Sequence, residues 1–465
     1  MSDRLKPYEQ YKEVSAVWID KIPSNWKCEK LGINYIERKS KVSDKDYEPL
    51  SVTKKGIVPQ LETAAKSNDS DNRKLVMHGD FVINSRSDRK GSSGVSKLDG
   101  SVSLINIVLQ PIGITPNYSH YLLRSNDFVE EYYRNGRGIV ADLWTTRYSE
   151  MRNILIPIPS IEEQNHIAKF LDYQLFKINK LIKAKKKQVM LLKEQKQAII
   201  DNAITKGINI RVNMKDSGVG WLGYVPEIWE VRRIKSVATV SPTINQLVNE
   251  RSLNDKVVFL PMDKISSDGD IDNSEWRKIK DVKTGFTSFA KNDVVVAKIT
   301  PCFENGKGAC LDKLESDFGY GTTELIVLRA SEKIDPKYLY YITRISHFRI
   351  LGEKDMTGSA GQKRVPTSFV GNFTLGIPKR EEQIQIIEYI EKKKIQIENV
   401  IQKIASEIEF ISEYKNSLIS SVVTGKVDVR DIQINEKIYE IDDVDTEESE
   451  ECECDSDLNK IEGDE

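Results

Sequence analysis

The sequence predicts an α+β fold: two tandem mixed α/β domains, each followed by a long coiled-coil helix. Three observations predict it. The chain is a duplication, each copy ends in a heptad-patterned segment, and each copy begins with short apolar runs set between Gly, Asp and Ser turns. Trp18, Pro23 and Trp26 return as Trp221, Pro226 and Trp229, 203 residues later. Asp80, which leads the apolar run 81–83, returns 213 residues later as Asp293 before the run 294–296. Pro116, Tyr118, Tyr121, Arg124 and Phe128 return after 220 residues as Pro336, Tyr338, Tyr341, Arg344 and Phe348. Pro159, Glu162, Glu163 and Gln164 return after 219 residues as Pro378, Glu381, Glu382 and Gln383.

The offset changes between Trp26 and Pro116 and is nearly constant thereafter. The copies therefore differ in their loops and agree in their helices. The expected order is a first variable domain (1–158), a spacer helix (159–207), a second variable domain (208–377), a second spacer helix (378–428) and an acidic, disordered tail (429–465). Strands are expected at 81–83, 104–109, 257–260, 294–297 and 325–328, and helices at 118–133 and 338–351.

One face of the first spacer segment carries Ala168, Leu171, Leu175, Ile178, Ile182, Val189, Leu192, Ile199 and Ala203, with Lys185 and Lys196 filling two gaps in the frame. The second carries Ile387, Ile390, Ile397, Ile401, Ile404, Ile408, Ile411, Leu418 and Val422, interrupted by Lys394 and Lys415. Alternating spacings of three and four place these residues on a coiled-coil seam. Ser160 and Glu163 form a capping box at the start of the first helix, and Gly207 can end it; the second copy has Lys379 in place of the Ser.

A length of 465 residues allows about three domains. No run of about 18 apolar residues exists to span a bilayer. Residues 1–10 lack the apolar stretch of a signal peptide, and the five cysteines are scattered, so a reducing cytoplasm is expected. The formal charge of −2 hides an asymmetry: residues 440–465 hold 14 acids and one Lys, a charge of −13, which leaves +11 for residues 1–439. A basic body favours a polyanionic partner.

The chemistry of catalysis is missing from the motifs. Gly218, Gly220 and Gly223 have dinucleotide-site spacing but no preceding strand, and the four histidines stand apart from any nucleophile. Cys452 and Cys454 lie in the acidic tail, where solvated residues are favoured over a metal site. No catalytic residue, metal site or cofactor of the chain's own is expected. The polar clusters instead suit DNA, since Lys and Arg engage phosphates while Arg, Asn and Gln can hold base edges. In the first copy these are Lys54, Lys55, Arg86, Arg89, Lys90, Arg137 and Arg147; in the second, Lys298, Lys307, Gln362, Lys363 and Arg364.

The tandem Trp, Pro, Trp motifs, the Gly79-Asp80 strand with its partner Asn292-Asp293, and the two Pro…Glu-Glu-Gln helix starts resemble the specificity subunit of type I restriction-modification systems. The resemblance covers residues 14–430; Asn292 in place of Gly, the missing second Ser cap and the acidic tail depart from the pattern. It implies two target recognition domains in a pseudo-twofold arrangement, each reading one half of a bipartite site in double-stranded DNA, joined by the two long helices, which pack antiparallel and set the spacer. A helix over 162–204 would span about 65 Å. It also implies two methyltransferase subunits using S-adenosylmethionine, and motor-nuclease subunits using ATP and Mg. Two other readings stand beside it: a detached specificity region of a fused restriction-methylation enzyme, and a coiled-coil scaffold that binds no DNA.

Overall fold

A computed structural model describes residues 5–61, 71–138, 144–358 and 361–434. The acidic segment with Cys452 and Cys454 lies outside them. The chain divides into two compact units, one ending at Lys185 and resuming at Ser406, the other Lys186–Ala405. Each unit thus combines one variable domain with part of both long helices, Ile161–Lys206 and Arg380–Val423.

In the first unit a four-stranded antiparallel sheet runs in the order Ser93–Val95, Phe81–Asn84, Asn106–Pro111, Tyr35–Glu37. The second unit has the equivalent sheet in the order Gly308–Cys310, Val294–Ala297, Leu325–Ala330, Ala238–Val240. The central strands Phe81–Asn84 and Val294–Ala297 are buried along their whole length, which is why they read as unbroken apolar runs, 81–83 and 294–297, rather than alternating. Asp80 and Asp293 lead these strands as buried carboxylates. Asp80 accepts two bonds from Arg38 at 2.7 and 3.0 Å, and Asp293 accepts two from Arg329, both at 2.7 Å. The preceding residue needs a left-handed backbone in both copies, φ +88° at Gly79 and +68° at Asn292. Asn is among the few side chains that tolerate it, so the departure from Gly is conservative in backbone terms.

Each expected helix at 118–133 and 338–351 is in fact a pair. The first breaks between Pro116–Leu122 and Asn126–Arg134, where Ser125 caps the second helix by accepting from the Phe128 amide. The other breaks between Pro336–Arg344 and Ser346–Lys354 at Ile345, whose backbone is extended. The three glycines 218, 220 and 223 belong to the turn between the paired strands Met214–Asp216 and Tyr224–Pro226, not to a strand-turn-helix.

The repeated motifs bind each helix end into a domain. Gln164 and Gln383 are wholly buried. Gln164 donates to the Pro159 carbonyl at 3.0 Å and accepts from the Thr115 amide at 2.8 Å. Gln383 makes the same pair, to Pro378 at 2.9 Å and from Asp335 at 2.7 Å. The start of each long helix is thereby fixed to the start of a domain helix. At the other end, Tyr118 donates to the Val423 carbonyl at 3.0 Å, and Tyr338 to that of Ile204 at 3.3 Å. Each long helix then stops at a glycine of positive φ, Gly207 at +76° and Gly425 at +75°, set against Trp229 and Trp26 respectively. So the second long helix ends in the core of the first domain, where Leu418, Val422 and Val423 pack with Ile22 and Trp26.

Within each unit the helix segments pair antiparallel. In the first, Lys415 donates to Asn179 at 2.9 Å while Lys185 pairs with Glu407, so partner numbers fall as the helix advances. In the second, Lys196 pairs with Glu398 at 3.3 Å, and Ile200 and Ala203 pack in one cluster with Ile387 and Ile390. The four lysines that interrupt the heptad frame thus all have partners, Lys394 donating to the Asp268 carbonyl at 3.1 Å. Leu171, Ile390, Ile397, Ile404 and Leu418 are buried; Ile178, Ile182, Val189, Leu192, Ile199, Ile401, Ile408 and Ile411 are half-buried, as a seam of only two helices leaves its flanks open.

Candidate nucleic-acid interface

In both units the loop following the Asp-led strand is laced to the segment just before a domain's last helix. Two backbone hydrogen bonds recur in each. In the first unit the Thr146 amide donates to Ser85 at 3.0 Å and the Ser87 amide to Trp144 at 2.9 Å. In the second, the Val365 amide donates to Lys298 at 2.8 Å and the Thr300 amide to Lys363 at 3.0 Å. A third segment joins each ribbon: Arg137 pairs with Thr145, and Thr357 with Arg364. Sequence-distant polar residues therefore share one three-segment ribbon per unit.

The side chains on these ribbons differ. In the first unit Thr145 is paired with both Arg86 and Arg137, and Arg86, Arg89, Lys90, Arg137 and Arg147 are all exposed. Lys90 pairs with Glu130 at 2.6 Å. Lys54 and Lys55 sit exposed at the tip of the hairpin Leu50–Thr53 and Gly56–Pro59. That hairpin lies close to the strand Ser93–Val95, where a Cβ added at Gly94 would come within 3.1 Å of Gly56. It is also tied to the domain helix, because Arg124 donates to the Lys54 carbonyl at 2.6 Å.

In the second unit Gln362 and Lys363 are exposed and Lys298 is half-buried. Lys307 is turned inward, its ammonium donating to the Met262 carbonyl at 3.1 Å. Arg364 is held by Glu324 through two bonds of 2.9 Å. The Arg364 fork, then the nearby Lys298 charge, lowers the Glu324 carboxyl below its ordinary range. Nothing in the sequence hints at this pair, since its members stand 40 positions apart. Arg124 and Arg344 recur in the sequence, but their use as loop braces does not show there: Arg344 bonds the Gly306 carbonyl just as Arg124 bonds that of Lys54. Among the described residues no His, Cys, Asp or Glu cluster is arranged to hold a metal, and no helix is long and apolar enough to cross a membrane.

Comparison with known proteins places this architecture. The family described as "Type I restriction modification DNA specificity domain" matches residues 226–409, within the second repeat. A solved chain from work on complex assembly and conformational transition of the type I R-M system superposes with a TM-score of 0.61 at 13% identity, covering 87% of this chain and 99% of that one; it speaks for the fold. The EcoEI specificity subunit of Escherichia coli is 35% identical over 205 residues, 43% of this chain and 34% of the relative. The chain thus spans about a third of the length of that curated relative. The MjaVIII specificity subunit of Methanocaldococcus jannaschii is 23% identical over 448 residues, 91% of this chain and 97% of that protein. Fold and sequence define a duplicated chain of two mixed α/β domains and two long helices. Over residues 226–409 the chain is thus similar to the type I restriction modification DNA specificity domain.

Proposed function

We propose that this chain is the DNA sequence-specificity subunit of a type I restriction-modification complex, each recognition domain reading one half of a bipartite site. The observation that supports it best is the laced ribbon, present at equivalent positions in both copies and bearing different side chains in each. A common backbone with exchanged side chains is what reading two different half-sites requires, because base identity is read by side-chain donors and acceptors in the major groove. The exposed cations around the first ribbon suit phosphates.

In this reading the long helices set the distance between half-sites and dock two methyltransferase subunits, with motor-nuclease subunits completing a restriction complex in the cytoplasm. The chain itself carries no cofactor. S-adenosylmethionine, and ATP with Mg, serve the partners, and the methyl transfer to a flipped base is theirs. Mapping methylated bases in cells with and without the chain tests the reading: a bipartite motif should vanish when the chain is absent. Removing one heptad from both helices tests the ruler, which predicts a changed spacer or loss of assembly; an unaltered spacer refutes it.

A further inference from the structure

The Arg364–Glu324 pair has the donor arithmetic of a base reader. A guanidinium has five N–H donors in a planar fork. Glu324 takes two of them, from Nε and Nη2, at 2.9 Å each. The Gln362 carbonyl takes a third, from Nη1, at 3.3 Å. Two donors are left, one on each terminal nitrogen, and the Arg364 side chain is 43% exposed while Glu324 is 22% exposed. The fork is thus gripped along its inner edge and open toward solvent.

The grip is itself fixed to the ribbon. The Glu324 carbonyl accepts from the Lys298 amide at 2.9 Å, and Arg364 is paired with both Ile299 and Thr357. A long flexible side chain is therefore held in one orientation before any ligand arrives, which removes much of the entropy cost of ordering it on binding. Two parallel N–H donors match the O6 and N7 acceptors of guanine in the major groove, and no other base offers that pair. A lone phosphate contact would not need the orientation fixed by a carboxylate, whose charge would also repel the phosphate.

We propose that Arg364, positioned by Glu324, reads a guanine in the half-site recognised by the second domain, and that Glu324 is the residue fixing that choice. Among the described residues the first copy has no such device. Thr145 stands on its ribbon where Arg364 does, and Ile105 precedes its strand where Glu324 precedes Leu325–Ala330. The inference rests on the recognition-subunit reading above.

The test is methylome mapping with the complete complex carrying wild-type chain, R364A, R364K or E324Q. Wild type against a chain-deleted strain first checks the recognition reading itself: a motif that survives deletion sinks that reading, and a motif that vanishes leaves the variants to decide this one. R364A and R364K should lose preference for guanine at one position of one half-site by about ten- to a hundredfold, since neither Ala nor Lys offers two parallel donors. E324Q should relax the same position to a smaller degree. The other half-site and the spacer should be unchanged. If R364A fails to fold, R364K keeps the cation and decides alone. An unchanged motif in both Arg variants, a relaxed position that is not guanine, or equal loss at both half-sites overturns the proposal.

Discussion

In the first unit the strand Phe81–Asn84 and in the second the strand Val294–Ala297 lie at the same place in the same four-stranded sheet, but what accompanies that sheet differs. In the first unit it is a three-stranded sheet, Gly100–Val102, Arg73–Val76, Lys41–Val42, with a small core of Leu50, Val76, Val82, Val102 and Val108. In the second it is a four-stranded sheet, Trp276–Lys278, Lys256–Leu260, Phe318–Gly321, Thr287–Ala290, containing one parallel pair. It contributes to two apolar clusters, one of them around Phe289 and Leu314, the other around Phe259 and Phe318. The shared sheet and helix ends hold the frame; the second sheet and the ribbon are where the copies have diverged. The lesson is that constancy follows the buried hydrogen bonds of Gln164, Gln383, Tyr118 and Tyr338, while variation follows the exposed ribbon.

The two units should differ most at the glycines that end the long helices. Gly425→Ala should destabilise the first unit by about 3 kcal/mol, combining a left-handed backbone with overpacking, because its Cβ would lie 2.4 Å from the Pro23 ring. Gly207→Ala should destabilise the second unit by about 1–2 kcal/mol, since its nearest neighbour, Trp229, is 3.1 Å away. Denaturant unfolding of the two variants checks the order, and equal losses would show that the helix ends are not packed as described.

The buried carboxylates come next. Asp80→Ala and Asp293→Ala should each cost about 2–3 kcal/mol, because each strands an Arg and a backbone amide. The amides are those of Met77 and Ala290. The loss should be greater at Asp80, whose partner Arg38 is 20% exposed against 36% for Arg329 and is therefore less able to recover water. The same unfolding measurement decides it.

A pH difference sharpens the contrast further. His120 in the first unit has its pKa lowered from 6.5 to about 4, by burial first and then by the Arg124 and Lys97 charges. Its counterpart Tyr340 is pushed up to about 12, chiefly by burial, and does not titrate in acid. The unfolded chain takes up a proton near pH 6.5 that the folded His120 refuses until about pH 4. Stability fully present above pH 6.5 is therefore lost as the pH falls toward 4, by about 3 kcal/mol. Hydrogen exchange, corrected for intrinsic rates, should show the first unit loosening in this window before the second. A His120→Gln chain that keeps the same acid sensitivity would remove the explanation.

The smallest effect expected is on DNA. Neutralising Arg86, Arg89 and Arg137 should weaken binding across sequences and flatten its salt dependence by about one logarithmic unit for every phosphate no longer engaged. An unchanged slope would take the first ribbon out of the interface.

The amino-acid sequence by itself determined the duplication, the position of both long helices, the central strands and the seam, because each is written in local periodicity or in residues that recur at a fixed offset. The heptad frame needed no partner to be visible, and Pro159, Gln164 and their copies mark the helix starts wherever the domains lie. The break of each domain helix was hidden, since a single capping Ser or an extended Ile interrupts an otherwise helical pattern. Only the tertiary structure decided which loops meet. Arg86 reaches Thr145, and Arg364 reaches Glu324, through pairings between segments some 40 to 60 positions apart. Composition cannot carry that information, because a polar loop reads the same whether its cation is solvated, turned inward like Lys307, or gripped by a carboxylate.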